Sequence, residues 1–114
     1  MSLLNSLYYI AESDGQGIFT IRFNAAHPVF AGHFPGKPIV PGACLVQIAE
    51  ELAGRMTGKP VRLTSIRNLK FRQPITPDQV VSVSLQCEMS NLKCQIAESA
   101  NFSATYMCAD SDLQ

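Results

Sequence analysis

The stretch from Gly32 to Glu51 constrains this chain most, because it joins a stiff loop directly to a helix. Its first eleven residues read Gly-His-Phe-Pro-Gly-Lys-Pro-Ile-Val-Pro-Gly and contain three prolines and three glycines. Proline fixes φ and lacks the N–H that a sheet needs, and glycine permits positive φ. These residues therefore predict an irregular loop of defined shape, which carries His33.

An amphipathic helix is predicted from about Pro41 to Met56. Proline suits a first helical turn, where its missing N–H has no helical acceptor to lose. At about 100° per residue, one face is apolar and the opposite face is polar. The apolar face holds Leu45, Ile48, Ala49, Leu52, Ala53 and Met56, and the polar face holds Gln47, Glu50, Glu51 and Gly54. The histidine loop thus ends at free N–H groups, which suit a carbonyl oxygen that gains negative charge.

The rest of the chain is predicted to form strands. The segments are Leu7–Glu12, Ile18–Phe23, Val61–Arg72, Val80–Met89, Leu92–Ala97 and Ala100–Ala109. Residues Asp14 to Gly17 are a strong hairpin signal between the first two. One helix and about six strands, mostly linked by hairpins, indicate an α+β fold in which an antiparallel sheet wraps around one central helix. We expect a single domain of residues 1–114.

Composition limits the classes of function. The formal net charge of the 114 residues is zero, which excludes a generally basic nucleic-acid binder. There is no long apolar run and no signal segment, so we expect no membrane span and a cytoplasmic protein. Because 46% of the residues are hydrophobic and only 16% are charged, we expect a homodimer or a higher oligomer of dimers.

The cysteines give no sign of a metal site. Cys44, Cys87, Cys94 and Cys108 form no Cys-x-x-Cys pair and have no histidine close to them in the sequence. We expect free thiols and no metal. Cys44 lies just inside the predicted helix N-terminus, where a thiolate is favoured.

The loop motif resembles the active-site signature of the β-hydroxyacyl-ACP dehydratases of fatty-acid synthesis, which have the hot-dog fold. Two later stretches agree with it: Phe71-Arg-Gln-Pro-Ile-Thr-Pro-Asp-Gln79 resembles a strand and turn of that family, and Ala104–Ala109 resembles its last strand. The resemblance implies a hot-dog fold and no cofactor. It also implies an acyl carrier protein as partner, with the acyl chain on its phosphopantetheine, and a homodimer with two sites at the interface.

His33 is the candidate catalytic base, because a neutral imidazole is available near neutral pH. The family motif falls directly on it. By the same resemblance, the N–H of Gly42 binds the thioester carbonyl, and Phe34 and Pro41 line the substrate. His27 has no match in the motif, so we expect it to be a loop or surface residue.

The acid position is unusual. The family has Glu or Asp five residues after the last glycine of the motif, where by resemblance it reaches the site from the dimer partner, and this chain has Gln47 there. An amide can hold a hydroxyl group or a water molecule, but it cannot supply a proton. Glu50 and Glu51 lie about one turn further along the same polar face and are the candidate substitutes.

Basic residues cluster between the helix and the later turn. Arg55, Lys59, Arg62, Arg67, Lys70 and Arg72 lie there, and no Asp or Glu occurs between Leu52 and Pro77. This pattern is typical either of a solvated strand edge or of a docking surface for an acidic carrier protein or a phosphate. For docking, Arg67, Lys70 and Arg72 are the candidates.

Three functions remain open at this point. The first is a 3-hydroxyacyl-ACP dehydratase, whose acid is moved or mediated by water. The second is a hot-dog subunit that is not catalytic alone, and that binds acyl-ACP or completes a site for a different subunit. The third is a hot-dog acyl thioesterase, in which Glu50 or Glu51 activates water.

Overall fold

Six strands and one long helix make up residues 2–31 and 36–108, which the computed structural model describes. The strands are β1 (Tyr8–Ser13), β2 (Ile18–Phe23), β3 (Val61–Phe71), β4 (Val80–Glu88), β5 (Asn91–Ile96) and β6 (Ala100–Cys108). The helix is α1 (Gly42–Thr57), and a short 3-10 helix, Pro28–Phe30, precedes it. The predicted helix and strands agree with these bounds to within one residue. The predicted antiparallel sheet around one helix is confirmed.

The strands lie in one sheet in the order β1-β2-β4-β5-β6-β3, and all neighbours are antiparallel. Tight connections join β1 to β2, β4 to β5 and β5 to β6. The segment that contains α1 carries the chain from β2 to β3, at the far edge of the sheet. Strands β1 and β3 are therefore the two edges.

Helix α1 buries its apolar face against the inner face of the sheet. Leu45, Ile48, Ala49, Leu52 and Ala53 are buried, as predicted, and Met56 is half-buried. Each large aliphatic side chain contributes about 1.5–3 kcal/mol on burial, so this contact holds the helix in place. The helix ends at Gly58, whose φ of 80° is the left-handed cap conformation. Neither α1 nor any other helix of the described residues has the length and apolar character needed to cross a membrane.

The inner face of the sheet follows the alternation that the sequence predicts. In β4, β5 and β6 every second residue is buried: Val81, Val83, Leu85, Leu92, Cys94, Ile96, Ala100, Phe102, Ala104 and Tyr106. The residues between them are mostly polar, so the outer face is solvated, as is common for antiparallel sheets.

Edge strand β3 departs from this pattern. Ile66 lies opposite Ala104, and Phe71 lies opposite Ala100, so both share the inner face with buried residues of β6. They are nevertheless 41% and 53% exposed. Bulges interrupt the pairing with β6 after Leu63 and after Arg67. The described residues thus leave an apolar inner strip, Ile66 and Phe71, open at this edge.

The turn between β1 and β2 is built on one aspartate. Asp14 Oδ1 accepts hydrogen bonds from the N–H groups of Gln16 at 2.7 Å and Ile18 at 2.9 Å. These donors, Ile18 first, hold the pKa of Asp14 below its ordinary value. Gly17 follows with a φ of 111°, and its carbonyl accepts the N–H of Leu85 at 2.8 Å. A Cβ on Gly17 would collide with the Leu85 carbonyl oxygen, so the crossing of this turn onto β4 requires glycine.

We expect Gly17→Ala to lower the free energy of unfolding. The positive φ alone should cost about 1–3 kcal/mol, and the displacement of the Leu85 carbonyl should add to that loss. Gly15→Ala is the matched control, because Gly15 has a φ of 75° with nothing within 4 Å of an added Cβ. Urea denaturation of both variants measures the difference. Equal losses would show that the Leu85 contact does not constrain the turn.

Candidate functional site

The start of α1 is fixed against the turn that follows β3. The N–H of Val40 donates to the carbonyl of Ile75 at 2.8 Å. Pro41 is the N-cap residue, with φ −61° and ψ 144°, and its carbonyl accepts the N–H of Leu45 at 3.2 Å. The helix therefore begins at Gly42, one residue later than predicted. The first N–H groups of any helix lack acceptors within it, so those at the start of α1 are open to an acceptor from outside the helix.

Phe71, the last residue of β3, covers the first residue of the helix. A Cβ on Gly42 would lie 2.6 Å from Cζ of the Phe71 ring, closer than real side chains approach. The ring therefore packs directly on the glycine backbone. Gly42 is required here by this close approach, because its φ is not in the left-handed region.

A cleft of about 350 Å³ opens beside this contact. Its lining residues are Ile39, Val40, Gly42, Leu45, Phe71, Arg72, Gln73, Pro74 and Ile75. Most of them are apolar, and Arg72 is the one charged side chain among the lining residues that are described. The cleft thus combines an apolar wall with the N-terminal end of a helix.

His33 and Phe34, two of the residues predicted to act on the substrate, lie outside the described residues. The nearby His27 has a local role: its Nδ1 accepts the N–H of Val29 at 3.0 Å and caps the short 3-10 helix. This contact agrees with the expectation that His27 is a loop residue. The assignment of the base to His33 stays a prediction.

Gln47, at the position where the family has its acid, is paired with Glu51 one turn along the helix. Its Nε2 donates to Oε2 of Glu51 at 3.0 Å, and both side chains are half-buried. An ionised carboxylate only accepts hydrogen bonds, so the contact identifies which branch of the Gln47 amide is the nitrogen. Gln47 is therefore suited to hold a polar group and not to protonate one.

Glu51 also binds the N-terminal segment, which we define as residues 2–8. Its carboxylate accepts the N–H of Leu3 at 2.7 Å, the N–H of Leu4 at 3.0 Å and the hydroxyl of Tyr8 at 2.9 Å. Burial, followed by the neighbouring Glu51 carboxylate, raises the pKa of Tyr8 well above its ordinary value. The Tyr8 hydroxyl therefore remains a donor across the working pH range. Glu51 anchors this segment to α1.

Glu50 makes an equivalent contact with the other side of the fold. Its Oε2 accepts the N–H of Leu63 in β3 at 2.8 Å, beside a bulge of that strand. Backbone N–H groups can only donate, so the contacts of Glu50 and Glu51 each use a carboxylate lone pair. Both candidate substitutes for the acid thus hold neighbouring elements on α1.

The three candidate docking residues lie on two different surfaces. Lys70 is in register with Asn101 on the outer face of the sheet, and Arg67 Nη1 donates to Oγ1 of Thr105 on the same face at 2.7 Å. Arg72 follows β3 and lines the cleft. A partner that contacts all three would have to reach around the β3 edge.

Two features of the site have no local signal in the sequence. Phe71 belongs to the motif that ends at Gln79, but its contact with Gly42 depends on how β3 crosses α1, which no local pattern reveals. The anchoring of residues 2–8 by Glu51 likewise joins positions far apart in sequence.

Cys44 is a free, half-buried thiol near the start of α1. Burial raises the pKa of its thiol above the ordinary value, whereas its place near the helix N-terminus favoured a thiolate. Desolvation of the half-buried sulfur disfavours the charged thiolate. Cys44 is thus poorly suited to act as a nucleophile.

Comparison with known proteins finds dehydratases. The family model of ApeI-like proteins, described as ApeI dehydratase, matches residues 9–107. The 3-hydroxyacyl-[acyl-carrier-protein] dehydratase FabZ of Chlamydia trachomatis is 30% identical over 95 residues, which cover 75% of this chain and 62% of that protein. FabZ of Brucella ovis is 33% identical over 102 residues, covering 75% and 64%. The chain therefore spans less than two thirds of the length of these curated relatives.

Solved structures share the fold. The dehydratase heterocomplex ApeI:P from Xenorhabdus doucetiae matches with a TM-score of 0.70 at 17% identity, covering 86% of this chain and 93% of that chain. The (R)-hydratase from A. caviae involved in PHA biosynthesis matches with a TM-score of 0.57 at 22% identity, covering 87% and 100%. These matches confirm the hot-dog architecture.

We expect Gly42→Ala to displace the Phe71 ring, because the new Cβ and Cζ of the ring cannot both keep their places. The ring is half-exposed and can swing outward, so the variant should fold with a modest loss of stability. A double-mutant cycle with Phe71→Ala measures the coupling, expected at about 0.5–3 kcal/mol. A coupling near zero would mean that the ring does not rest on Gly42.

Proposed function

Because the chain belongs to the ApeI-like dehydratase family, we propose that it is a 3-hydroxyacyl-ACP dehydratase, a hydro-lyase that converts a 3-hydroxyacyl thioester into an enoyl thioester and water. The observation that carries the proposal is the apolar cleft of about 350 Å³ that meets the start of α1 at Gly42. A thioester carbonyl at that point faces helix N–H groups, and an acyl chain meets apolar walls.

In the proposed reaction, His33 takes a proton from the carbon next to the thioester carbonyl. The electron pair of that C–H bond forms the new double bond, the bond from C3 to the hydroxyl oxygen breaks, and the hydroxyl leaves as water after gaining a proton. Negative charge that develops on the carbonyl oxygen is stabilised by the N–H of Gly42. Phe34 and Pro41 would border the acyl chain.

The proton for the leaving hydroxyl needs a source other than Gln47. Glu50 and Glu51 already accept backbone N–H groups from β3 and from residues 2–8. We therefore assign the proton to a water molecule held at the Gln47 amide, which recovers a proton from protonated His33, so that base and water both return to their starting states. The hydrogen bonds that Glu50 and Glu51 already accept also argue against a thioesterase, because that reaction would need one of these carboxylates to activate water.

A second candidate is a subunit that gains its acid from another chain. The amide at position 47 favours it, since a carboxyl group from a partner would restore the missing proton donor. One of the solved structures with this fold is a dehydratase heterocomplex. Under this proposal the chain binds the acyl group but turns it over only in the complex.

We propose that the substrate acyl group is carried on the phosphopantetheine of an acyl carrier protein. Arg67, Lys70 and Arg72 are the proposed docking residues for that carrier. Their region lacks acidic residues from Leu52 to Pro77, so an acidic carrier meets little repulsion there. The cytoplasmic location and the independence from cofactors stay predictions.

We also propose that two copies of the chain pair through their β3 edges, giving a homodimer or an oligomer of such dimers. The edge presents unpaired backbone groups, and Ile66 and Phe71 leave apolar area exposed beside it. Pairing two β3 edges would give the backbone groups hydrogen-bond partners and bury the exposed apolar area of Ile66 and Phe71.

His33→Ala should abolish turnover of a 3-hydroxyacyl thioester, because the base for the C–H proton is lost. His27→Ala is the control and should change kcat/KM little, since His27 caps the 3-10 helix. Enoyl absorbance follows the reaction, and circular dichroism checks the fold. Equal effects of the two substitutions would mean that the site lies elsewhere. A wild type that is inactive alone but active with a second chain would favour the second candidate, a subunit that gains its acid from another chain.

Light scattering should give the mass of a dimer at micromolar concentration for the wild type. Ile66→Asp should give a monomer, because it buries a charge in the proposed interface. Ile18→Asp, at a residue that is 48% exposed in β2, should leave the dimer intact. A monomeric wild type, or identical masses for both variants, would contradict pairing through β3.

A further inference from the structure

Three neighbouring strands of the sheet, β5, β6 and β3, carry positive charge and no negative charge. Their charged residues are Arg62, Arg67, Lys70 and Lys93, and none of the three strands contains Asp or Glu. The whole chain has nine basic and nine acidic residues, so its acidic residues lie elsewhere. This part of the sheet therefore attracts anions although the chain is neutral overall.

Strand β3 directs three of these charges to the outer face of the sheet. Arg62, Arg67 and Lys70 are exposed, and each lies opposite an outer-face residue of β6. Arg67 is held in place, because its Nη1 donates to Oγ1 of Thr105 at 2.7 Å and to Oγ of Ser65 at 3.1 Å. Both acceptors are neutral hydroxyls, which leave the guanidinium charge uncompensated. The outer side of this edge strand is thus a row of three positive charges.

Pairing two β3 edges in the proposed dimer sets two such rows side by side. The two-fold axis makes the strands antiparallel, so residues opposite each other point to the same face of the sheet. When Val61–Phe71 pairs along its whole length, Ile66 lies opposite its own copy, and Lys70 lies opposite Arg62 of the partner subunit. Like charges directly opposite each other destabilise a strand pair. No register supplies a counter-charge, because β3 has no acidic residue.

Within one subunit, Arg62 is too remote from Lys70 to serve the same contact. Eight residue steps separate them along β3, which is about 26 Å, whereas interactions between exposed charges are largely screened beyond about 8 Å at physiological ionic strength. Across the paired edges, in contrast, neighbouring strands are only about 4.8 Å apart. An anionic group placed between Lys70 and Arg62 of the partner subunit therefore removes their repulsion and contacts two cations at once.

We propose that Arg62 of the partner subunit completes the docking site for the acidic carrier, beside Arg67 and Lys70 of the subunit that takes the acyl group. Arg72 follows two residues after Lys70, where β3 has ended, and it lines the cleft. The phosphopantetheine arm therefore passes the end of β3 to reach the cleft, while the carrier itself stays on the outer face. This inference rests on the proposed dehydratase function and the proposed dimer, and it adds to them a residue that acts from the second copy.

Carrier docking and dimer formation are coupled in this arrangement. A carrier that contacts both subunits binds the dimer more tightly than the monomer, so it also strengthens the dimer. Salt separates the two associations. It screens the repulsion between the paired β3 strands and so strengthens the free dimer, and it screens the attraction of the carrier and so weakens docking. A free dimer that weakens as salt is added would contradict the inference.

Arg62→Glu tests the inference, with Arg22→Glu as the matched control. Arg22 is an exposed arginine on the outer face of β2, four strands from β3 in the sheet. At low salt, we expect Arg62→Glu to lower the dissociation constant of the free dimer roughly fivefold, because a carboxylate then faces Lys70 across the two strands. The dissociation constant for an acyl carrier protein without its acyl group should rise roughly fivefold or more.

Analytical ultracentrifugation measures the first constant and isothermal titration calorimetry the second, and Arg22→Glu should change neither. The opposite signs identify the role, since a damaged strand would weaken both associations. Weakening of both by Arg62→Glu, or unchanged carrier binding, would overturn the inference.

The monomeric variant Ile66→Asp separates action within a subunit from action across the dimer. In that background, Arg62→Glu should leave carrier binding unchanged, whereas Lys70→Glu should still weaken it. Equal effects of the two substitutions would show that Arg62 acts in its own subunit, which would overturn the inference.

Turnover keeps the docking site apart from the proposed reaction. Arg62→Glu should lower kcat/KM for a carrier-bound 3-hydroxyacyl group relative to the same group on N-acetylcysteamine, which lacks a carrier. A wild type that turns over neither substrate, with the binding effects intact, would overturn the proposed reaction and uphold the docking site. A wild type that turns over both, with a ratio that Arg62→Glu does not change, would overturn the docking site alone.

Discussion

The burial of the apolar face of α1 under the sheet is the contact on which the rest of the structure depends. Ile48, Ala49 and Leu52 are completely enclosed, so the helix can neither rotate nor slide without exposing them. This fixes its N-terminus beside the cleft at Gly42. It also fixes the direction of the opposite face, which carries Gln47 and the two glutamates. The packing of the core thereby places every group on the helix to which a chemical role is assigned.

The polar face of α1 carries three side chains, Gln47, Glu50 and Glu51, that make hydrogen bonds in the described structure. Glu50 reaches the backbone of β3, and Glu51 reaches the backbone of residues 2–8. These N–H groups are only part-buried, so exchanging either carboxylate for an apolar group should destabilise the fold by less than the about 1–3 kcal/mol of a fully buried, unpaired N–H. Gln47 donates to Glu51 on the next turn of the same helix, so the amide and the carboxylate hold each other on the polar face.

Most of the fold could be predicted from the sequence, because its determinants are local and periodic. The helix follows from the spacing of Leu45, Ile48 and Leu52, and the hairpin from Asp14 and its glycines. The bulges of β3, the Phe71 ring on Gly42 and the anchoring by Glu51 could not be predicted. Each joins segments far apart in sequence, where neither periodicity nor propensity carries a signal. The motif could nominate Gln47 for the site, but only the structure shows what its amide contacts.

One residue belongs both to the proposed dimer edge and to the candidate site. Phe71 ends the edge strand, lines the cleft and covers Gly42, and it is still 53% exposed. A chain that pairs with the β3 edge would therefore press on the same ring that closes the start of α1. The ring packs on the backbone of Gly42, because no Cβ separates the two. In the proposed dimer, pairing through β3 and the shape of the cleft at Gly42 would therefore both depend on where this ring lies.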